Sequence, residues 1–198
     1  MNLVAALRVA GSAEARGKGV LVVLNDEVHA ARDVVKTSTY RLHTFRSLDF
    51  GALGHVDGDG VHFYRAPTRP HMPDTAFAGL DLAHLPRVDI VYSYAGADGA
   101  LVAAAVAAGA RGIVSAGFAP GMPTALQVAA LEEAAKSGVL VVQASRAASG
   151  RVAPRRRLLE KGIIAGEDFS PQKARILLML ALSATREPTA IAEIFRTY

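Results

Sequence analysis

The sequence predicts an α/β protein in two parts: a first segment of helix, strand and hairpin, then a compact domain around a parallel sheet. Three observations carry this. After Pro86, apolar runs of strand length alternate with helical segments, which implies right-handed crossovers and parallel strands. Before it, strand-like runs flank the Asp-Gly pairs of Asp57-Gly58-Asp59-Gly60, a hairpin signal. Between them, Pro67, Pro70, Pro73 and Pro86 punctuate a stretch with no clear period. The predicted boundaries are residues 1–66, a linker over 67–86, and a domain over 87–198.

Asn2 to Arg16 reads as a helix, with Leu3, Val4, Leu7 and Ala10 at helical spacing and Gly17-Lys18-Gly19 at its end. Val20–Leu24 is an unbroken apolar run, the pattern of a strand buried on both faces of a parallel sheet, and Asn25-Asp26 ends it with turn chemistry. From Glu27 to Phe45 the pattern is irregular. Leu53–Val56 and Val61–Arg65 form the hairpin arms, with His55 and His62 expected to face each other or to point to solvent.

In the later part, strands are predicted at Val88–Tyr92, Gly112–Ala116, Val139–Val142 and Ile163–Ala165. Helices are predicted at Gly99–Ala108, Thr124–Lys136, Pro171–Ala184 (with Ser170 as N-cap) and from Glu187-Pro188 to Tyr198. Ligands of such sheets sit at the carboxyl ends of the strands, so Ser93–Gly99, Ala116–Met122 and Gln143–Gly150 are the candidate loops.

Composition excludes several classes. The 198 residues contain no cysteine, which rules out disulfides, thiolate catalysis and Cys-ligated zinc. The net charge of +4 is small and dispersed, with one dense run at Arg155-Arg156-Arg157 and no nucleic-acid module, so no nucleic-acid partner is expected. The apolar stretches Ala100–Ala110 and Ile176–Ala184 fall short of the roughly 18 residues of a membrane span. Met1–Arg8 does not read as a signal peptide; no membrane association and a cytoplasmic location are expected. The six histidines show no ligand spacing, and neither a metal nor a cofactor is predicted. Gly117–Gly121 lacks the P-loop lysine and the dinucleotide fingerprint, and reads as a tight strand-to-helix turn.

Three stretches carry a resemblance: Val22–Asp26 followed by Ala31-Arg32-Asp33-Val34-Val35-Lys36-Thr37; Gly112–Gly117; and Ser170-Pro171-Gln172-Lys173-Ala174-Arg175-Ile176-Leu177-Leu178. Phe45-Arg46-Ser47 through Gly54 follows the same order more weakly. The chain resembles, in register over nearly its whole length, the bacterial-type asparaginase and glutaminase family. The resemblance implies the end of that family's N-terminal catalytic domain (strand, irregular loop, hairpin) and a complete C-terminal α/β domain. It implies hydrolysis of the side-chain amide of L-asparagine or L-glutamine, with ammonia released. It places the family's catalytic lysine at Lys36.

The family also uses two threonine centres, one in a Thr-Gly-Gly-Thr loop and one in a Thr-Asp-Thr segment. Neither stretch occurs in this sequence; Asp74-Thr75 is the nearest dipeptide. A hydroxyl nucleophile, a base for its proton and donors for the oxyanion are all needed on an amide. The chain is therefore expected to be a later portion of such an enzyme, with Thr37 and Thr39 not expected to replace the missing hydroxyls. Asn25 is read as a turn residue and Asp33 as a surface or salt-bridged carboxylate, both supporting the Lys36 loop. The resemblance directs Gly96, where some members carry Asn, and Asp98 towards a neighbouring subunit's substrate pocket; the competing reading of Asp98 is a helix cap. The expected partners are copies of the same chain or a complementing N-terminal chain. The alternative function is a non-catalytic amino-acid-binding or subunit-complementing module.

Overall fold

A computed structural model describes residues 1–71 and 75–198, and places them in two compact units, Met1–Thr75 and Ala76–Tyr198. Asp74, of the Asp74-Thr75 dipeptide, lies outside the described residues.

The first unit opens with helix α1 (Asn2–Gly11) and a single 3₁₀ turn at Ala13–Ala15. Strand β1 (Leu21–Leu24) then doubles back into β2 (Glu27–Ala30). Asn25 and Asp26 both sit in the left-handed region, at φ 53° and 62°, which is the two-residue turn that matches the twist of a tight hairpin. The Asn2 side chain accepts the Asn25 N–H at 3.1 Å and fixes this turn to α1. Such a turn forces antiparallel pairing, with Leu21 opposite Ala30 and Leu24 opposite Glu27. The expectation of a buried parallel strand at Val20–Leu24 is therefore corrected: β1 is a half-buried edge strand of an antiparallel sheet.

Two short strands, β3 (Val35–Lys36) and β4 (Phe45–Arg46), form a separate ribbon. The hairpin strands β5 (Gly54–Val56) and β6 (Val61–Phe63) complete the main sheet, in the order β1-β2-β5-β6. His55 and His62 are register partners across that hairpin. Gly54 is required there, because a Cβ would overlap the His62 carbonyl. In β2 the side chains alternate. Val28 joins Ala5, Val9 and Val56 in a small core under α1, while Glu27 and His29 point to the other face.

The second unit is the predicted parallel sheet. Strands β7 (Val88–Tyr92), β8 (Gly112–Gly117), β9 (Leu140–Ser145) and β10 (Ile163–Ala165) lie in the order β10-β9-β8-β7, all parallel. Helices α2 (Ala100–Ala107) and α3 (Ala125–Lys136) cover one face; Val102, Ala105 and Leu131 meet Val91, Ile113 and Val141 there. A one-turn helix, α4 (Arg156–Leu159), precedes β10 and was not foreseen from the arginine run. Helices α5 (Pro171–Ala184) and α6 (Pro188–Thr197) cover the opposite face, with Leu178, Ile191 and Phe195 on Val114, Val142 and Ile164. Every residue of β8 is buried, as expected for a central strand between two helix layers. Gly112 lets α5 approach, since a Cβ would come within 2.7 Å of the Leu178 side chain.

The caps agree with the sequence. Ser170 accepts the Lys173 N–H ahead of Pro171, and Thr124 and Gln127 close a full capping box on α3. No described helix is long and apolar enough to cross a membrane.

Candidate functional site

In the first unit, Lys36 sits on β3 opposite Phe45, with its side chain exposed. The loop joining β3 to β4 is laced by its own hydroxyls. The Thr37 N–H and Oγ both donate to the Thr44 carbonyl, at 2.7 and 2.8 Å. The Thr44 Oγ donates to the Ser38 carbonyl at 2.6 Å and accepts the Ser38 N–H at 2.7 Å. The Thr37 hydroxyl thus has a structural task. Asp33 pairs with Arg32 at 3.2 Å, and Asn25 serves in the hairpin turn. A lysine acting as a base works from a desolvated site, and the first unit by itself leaves Lys36 in solvent.

Beneath this ribbon lies a group that sequence reasoning passed over. His29 is 2% exposed, with Nδ1 3.0 Å from the Oγ of Ser47, the residue that follows β4. Its Nε2 is 3.2 Å from the Glu27 carboxylate, yet no aligned hydrogen bond forms there. The distance marks the two as neighbours, and the direction leaves Nε2 unsatisfied in this arrangement. The sequence signal was the alternation Glu27-Val28-His29-Ala30, too short to stand out as a strand.

Among the described residues, Asp57, Asp59 and His62 bring potential ligand atoms within 4.8 Å of one another at the hairpin tip. Both aspartates are exposed, and His62 is hydrogen-bonded to Asp59 at 3.1 Å, which holds the Asp59 carboxyl below its usual range. No metal is assigned to them.

In the second unit, the loops at the carboxyl ends of β7, β8 and β9 are laced together. Gly96 is exposed at φ +79°, in a turn closed by the Ala97 N–H on the Tyr94 carbonyl at 3.0 Å. That conformation explains a Gly or Asn choice: both tolerate the left-handed region, and β-branched residues do not. Asp98 accepts the Ala100 N–H at 3.0 Å, so it helps cap α2. The Thr124 hydroxyl holds the Ala97 carbonyl at 2.6 Å.

Buried Ser93 donates to Gln127 Oε1 at 2.7 Å, and Gln127 Nε2 donates to the Tyr92 carbonyl at 3.3 Å. From the end of β9, Arg146 donates to the Ser93 carbonyl at 2.8 Å, its guanidinium 4.1 Å from the centre of the Phe118 ring. The Gly117–Gly121 turn is tight, as read from the sequence: a Cβ on Gly117 would meet the Gly121 backbone at 2.5 Å. Gln143 Nε2 pins it through the Gly121 carbonyl at 2.7 Å. Glu167, buried with φ 51°, pairs with Arg151 and accepts the Val152 N–H at 2.8 Å, steadying the segment after Gly150. Of these, Gln127 was foreseeable, because Thr124 followed three residues later by Gln is a capping-box signature. Arg146 and Gln143 had no local signal; their partners are distant in sequence.

Comparison with known proteins follows this division. Residues 1–69 match the profile described as Asparaginase, N-terminal, and residues 87–195 match the Glutaminase/Asparaginase C-terminal domain. The chain is 44% identical over 197 residues to L-asparaginase 2 of Bacillus subtilis (strain 168), covering all of this chain and 52% of that protein. It is 40% identical to L-asparaginase 2 of Escherichia coli (strain K12), again over its whole length and 57% of the relative. Glutaminase-asparaginase of Pseudomonas fluorescens biotype A is 36% identical, with 55% of its length covered. Among solved structures, the probable cytoplasmic L-asparaginase from Campylobacter jejuni superposes with a TM-score of 0.94 at 40% identity, covering all of this chain and 65% of that one. The chain thus spans between about half and two thirds of the length of these relatives.

Proposed function

Since this chain belongs to the asparaginase/glutaminase family, we propose that it is the Lys36-bearing portion of an amidohydrolase that releases ammonia from the side-chain amide of L-asparagine or L-glutamine. The observation that carries the reading is the match in both domains at once, together with relatives that align over the whole of this chain. Lys36 is the proton-accepting group for a threonine nucleophile. The loop at Gly96 and Asp98 contributes to substrate binding in a neighbouring subunit of a homo-oligomer.

The lacing of Thr37 to Thr44 argues that the nucleophile comes from elsewhere. A complementing chain or segment carrying the threonine centres is the expected partner, and it would also bury Lys36. The non-catalytic reading, an amino-acid-binding module, draws on the same facts: Lys36 is exposed and the Thr37 hydroxyl is tied to the Thr44 carbonyl. We place the protein in the cytoplasm, although names among the relatives include both cytoplasmic and periplasmic enzymes.

The test is ammonia release from L-asparagine and L-glutamine. It compares the chain alone, the chain mixed with a segment bearing the threonine centres, and the Lys36→Met variant in both settings. Activity only on mixing, lost in Lys36→Met, is the expected result. Activity of the chain alone that survives Lys36→Met refutes the assignment. Calorimetric binding of L-asparagine without turnover in any mixture favours the binding module.

A further inference from the structure

The half-exposed Glu27 and the buried His29 and Ser47 have the composition of a serine–histidine–carboxylate relay. Burial decides against that use. Ser47 is 6% exposed and His29 2%, so the hydroxyl has no approach for a substrate. What the trio does have is position. His29 belongs to β2 of the main sheet, and Ser47 directly follows β4, whose partner strand carries Lys36. The 3.0 Å contact is a buried side-chain link between the sheet and the ribbon. The ribbon's own pairing is two residues long on each strand, too little to fix its orientation alone.

We infer that His29 is a positioning residue: through Ser47 it sets the placement of the β3–β4 ribbon, and hence of Lys36, on the sheet. The inference rests on the reading of Lys36 as the family's catalytic lysine. A polar pair at this depth is costly unless satisfied, so it holds one geometry where an apolar pair would allow several. Glu27, beside Nε2 and still partly exposed, can rotate to accept from that nitrogen. With the Nε2–H tautomer, Nδ1 accepts the Ser47 hydroxyl proton and both nitrogens are satisfied.

The test is amide hydrogen exchange on the 198-residue chain, with wild type beside Ser47→Ala, His29→Ala and His29→Asn. The Asn amide occupies the place of Nδ1 and can restore the bond to Ser47. The reporter is the Thr37 amide, bonded to the Thr44 carbonyl at 2.7 Å; the control is the Leu53 amide, bonded to the Val28 carbonyl at 2.7 Å. Ser47→Ala is expected to speed exchange at Thr37 by about tenfold or more with Leu53 unchanged, and His29→Asn to recover most of the protection. In wild type, the imidazole ¹⁵N shifts should report the Nε2–H tautomer, and Ser47→Ala should move the Nδ1 resonance.

Equal acceleration at Thr37 and Leu53 in Ser47→Ala, or no acceleration at Thr37, overturns the inference. Failure of His29→Ala to fold leaves the Ser47→Ala and His29→Asn arms to decide. If Lys36→Met leaves ammonia release intact, the catalytic reading falls, and the exchange result still judges the link itself.

Discussion

The two units solve the same problem, holding polar loops in place, by different means. The second unit does it with mass. A parallel sheet is covered on both faces, its central strand is wholly buried, and each loop at the carboxyl edge leaves a rigid strand. The first unit has strands of two to four residues and a core of a few small side chains under one helix. It relies on specific polar ties: Asn2 on the hairpin turn, Thr44 within the ribbon, His29 on Ser47. The lesson is that truncating apolar side chains should damage the second unit most, while the first should be most sensitive to the loss of single hydrogen bonds.

The largest effect is expected from Phe195→Ala. Phe195 is fully buried, with its ring edge-on to Phe169 at 5.8 Å between centroids. Its removal should cost about 3–5 kcal/mol, read as a lower urea midpoint for the second unit's unfolding. Val28→Ala, at the centre of the first unit's core, should cost nearer 2 kcal/mol, from the smaller area it buries. If Val28→Ala proved the costlier, the contrast between the units would fail.

Next comes Gln127→Ala. This side chain accepts from Ser93 and Thr124 and donates to the Tyr92 carbonyl, so its loss leaves Ser93 buried without that partner and removes half of the capping box. About 1–3 kcal/mol is expected. The distinguishing readout is faster amide exchange in residues 93–99, since this glutamine joins the Gly96 loop to α3.

These cases also show where sequence reasoning reached and where it stopped. The second unit was legible almost element by element, because its helices and strands are long enough to express their periods and its caps carry local signatures at Thr124 and Ser170. The first unit was less so. Val20–Leu24 looks like a buried parallel strand because an apolar run reports hydrophobicity and not the direction of the strand it pairs with. The left-handed pair Asn25-Asp26 decided the pairing instead. Lys36, Gly96 and Asp98 were picked out through family resemblance. Their surroundings (His29, Ser47, Arg146, Gln143) come from residues far apart in the chain, which no local pattern brings together. The structure gives Asp98 a capping task and Gly96 a left-handed turn, both compatible with a binding role for the loop.

A smaller effect is expected at that turn. Gly96→Asn keeps a residue that tolerates φ +79°, and no neighbouring atom lies within 4 Å of the new Cβ. It should cost less than about 1 kcal/mol. Gly96→Val should cost more, because a β-branched side chain is strained there. On the proposed function, Gly96→Asn should also lower KM for L-asparagine in an active assembly. Unchanged KM with unchanged stability would detach Gly96 from substrate binding.

The smallest effect, and the one that best isolates the polar ties of the first unit, concerns His71. Its Nδ1 lies 2.7 Å from the Arg69 carbonyl and its Nε2 2.7 Å from the Gly17 carbonyl. Two carbonyl oxygens can both be satisfied only if both nitrogens carry protons, so the folded chain favours the imidazolium. The hydrogen bonds to Arg69 and then Gly17 raise its pKa above 6.5. A raised folded pKa stabilises below the unfolded value and is lost as pH rises through the folded one. The tie between residue 71 and Gly17 should therefore be complete below about pH 6.5 and loosen above it. Proton NMR of the His71 ring across this range, beside His71→Gln, checks it. A His71 titration midpoint at or below 6.5, or identical pH dependence in His71→Gln, would show that the neutral ring serves as well. The first unit's reliance on directed polar contacts would then not extend to this junction.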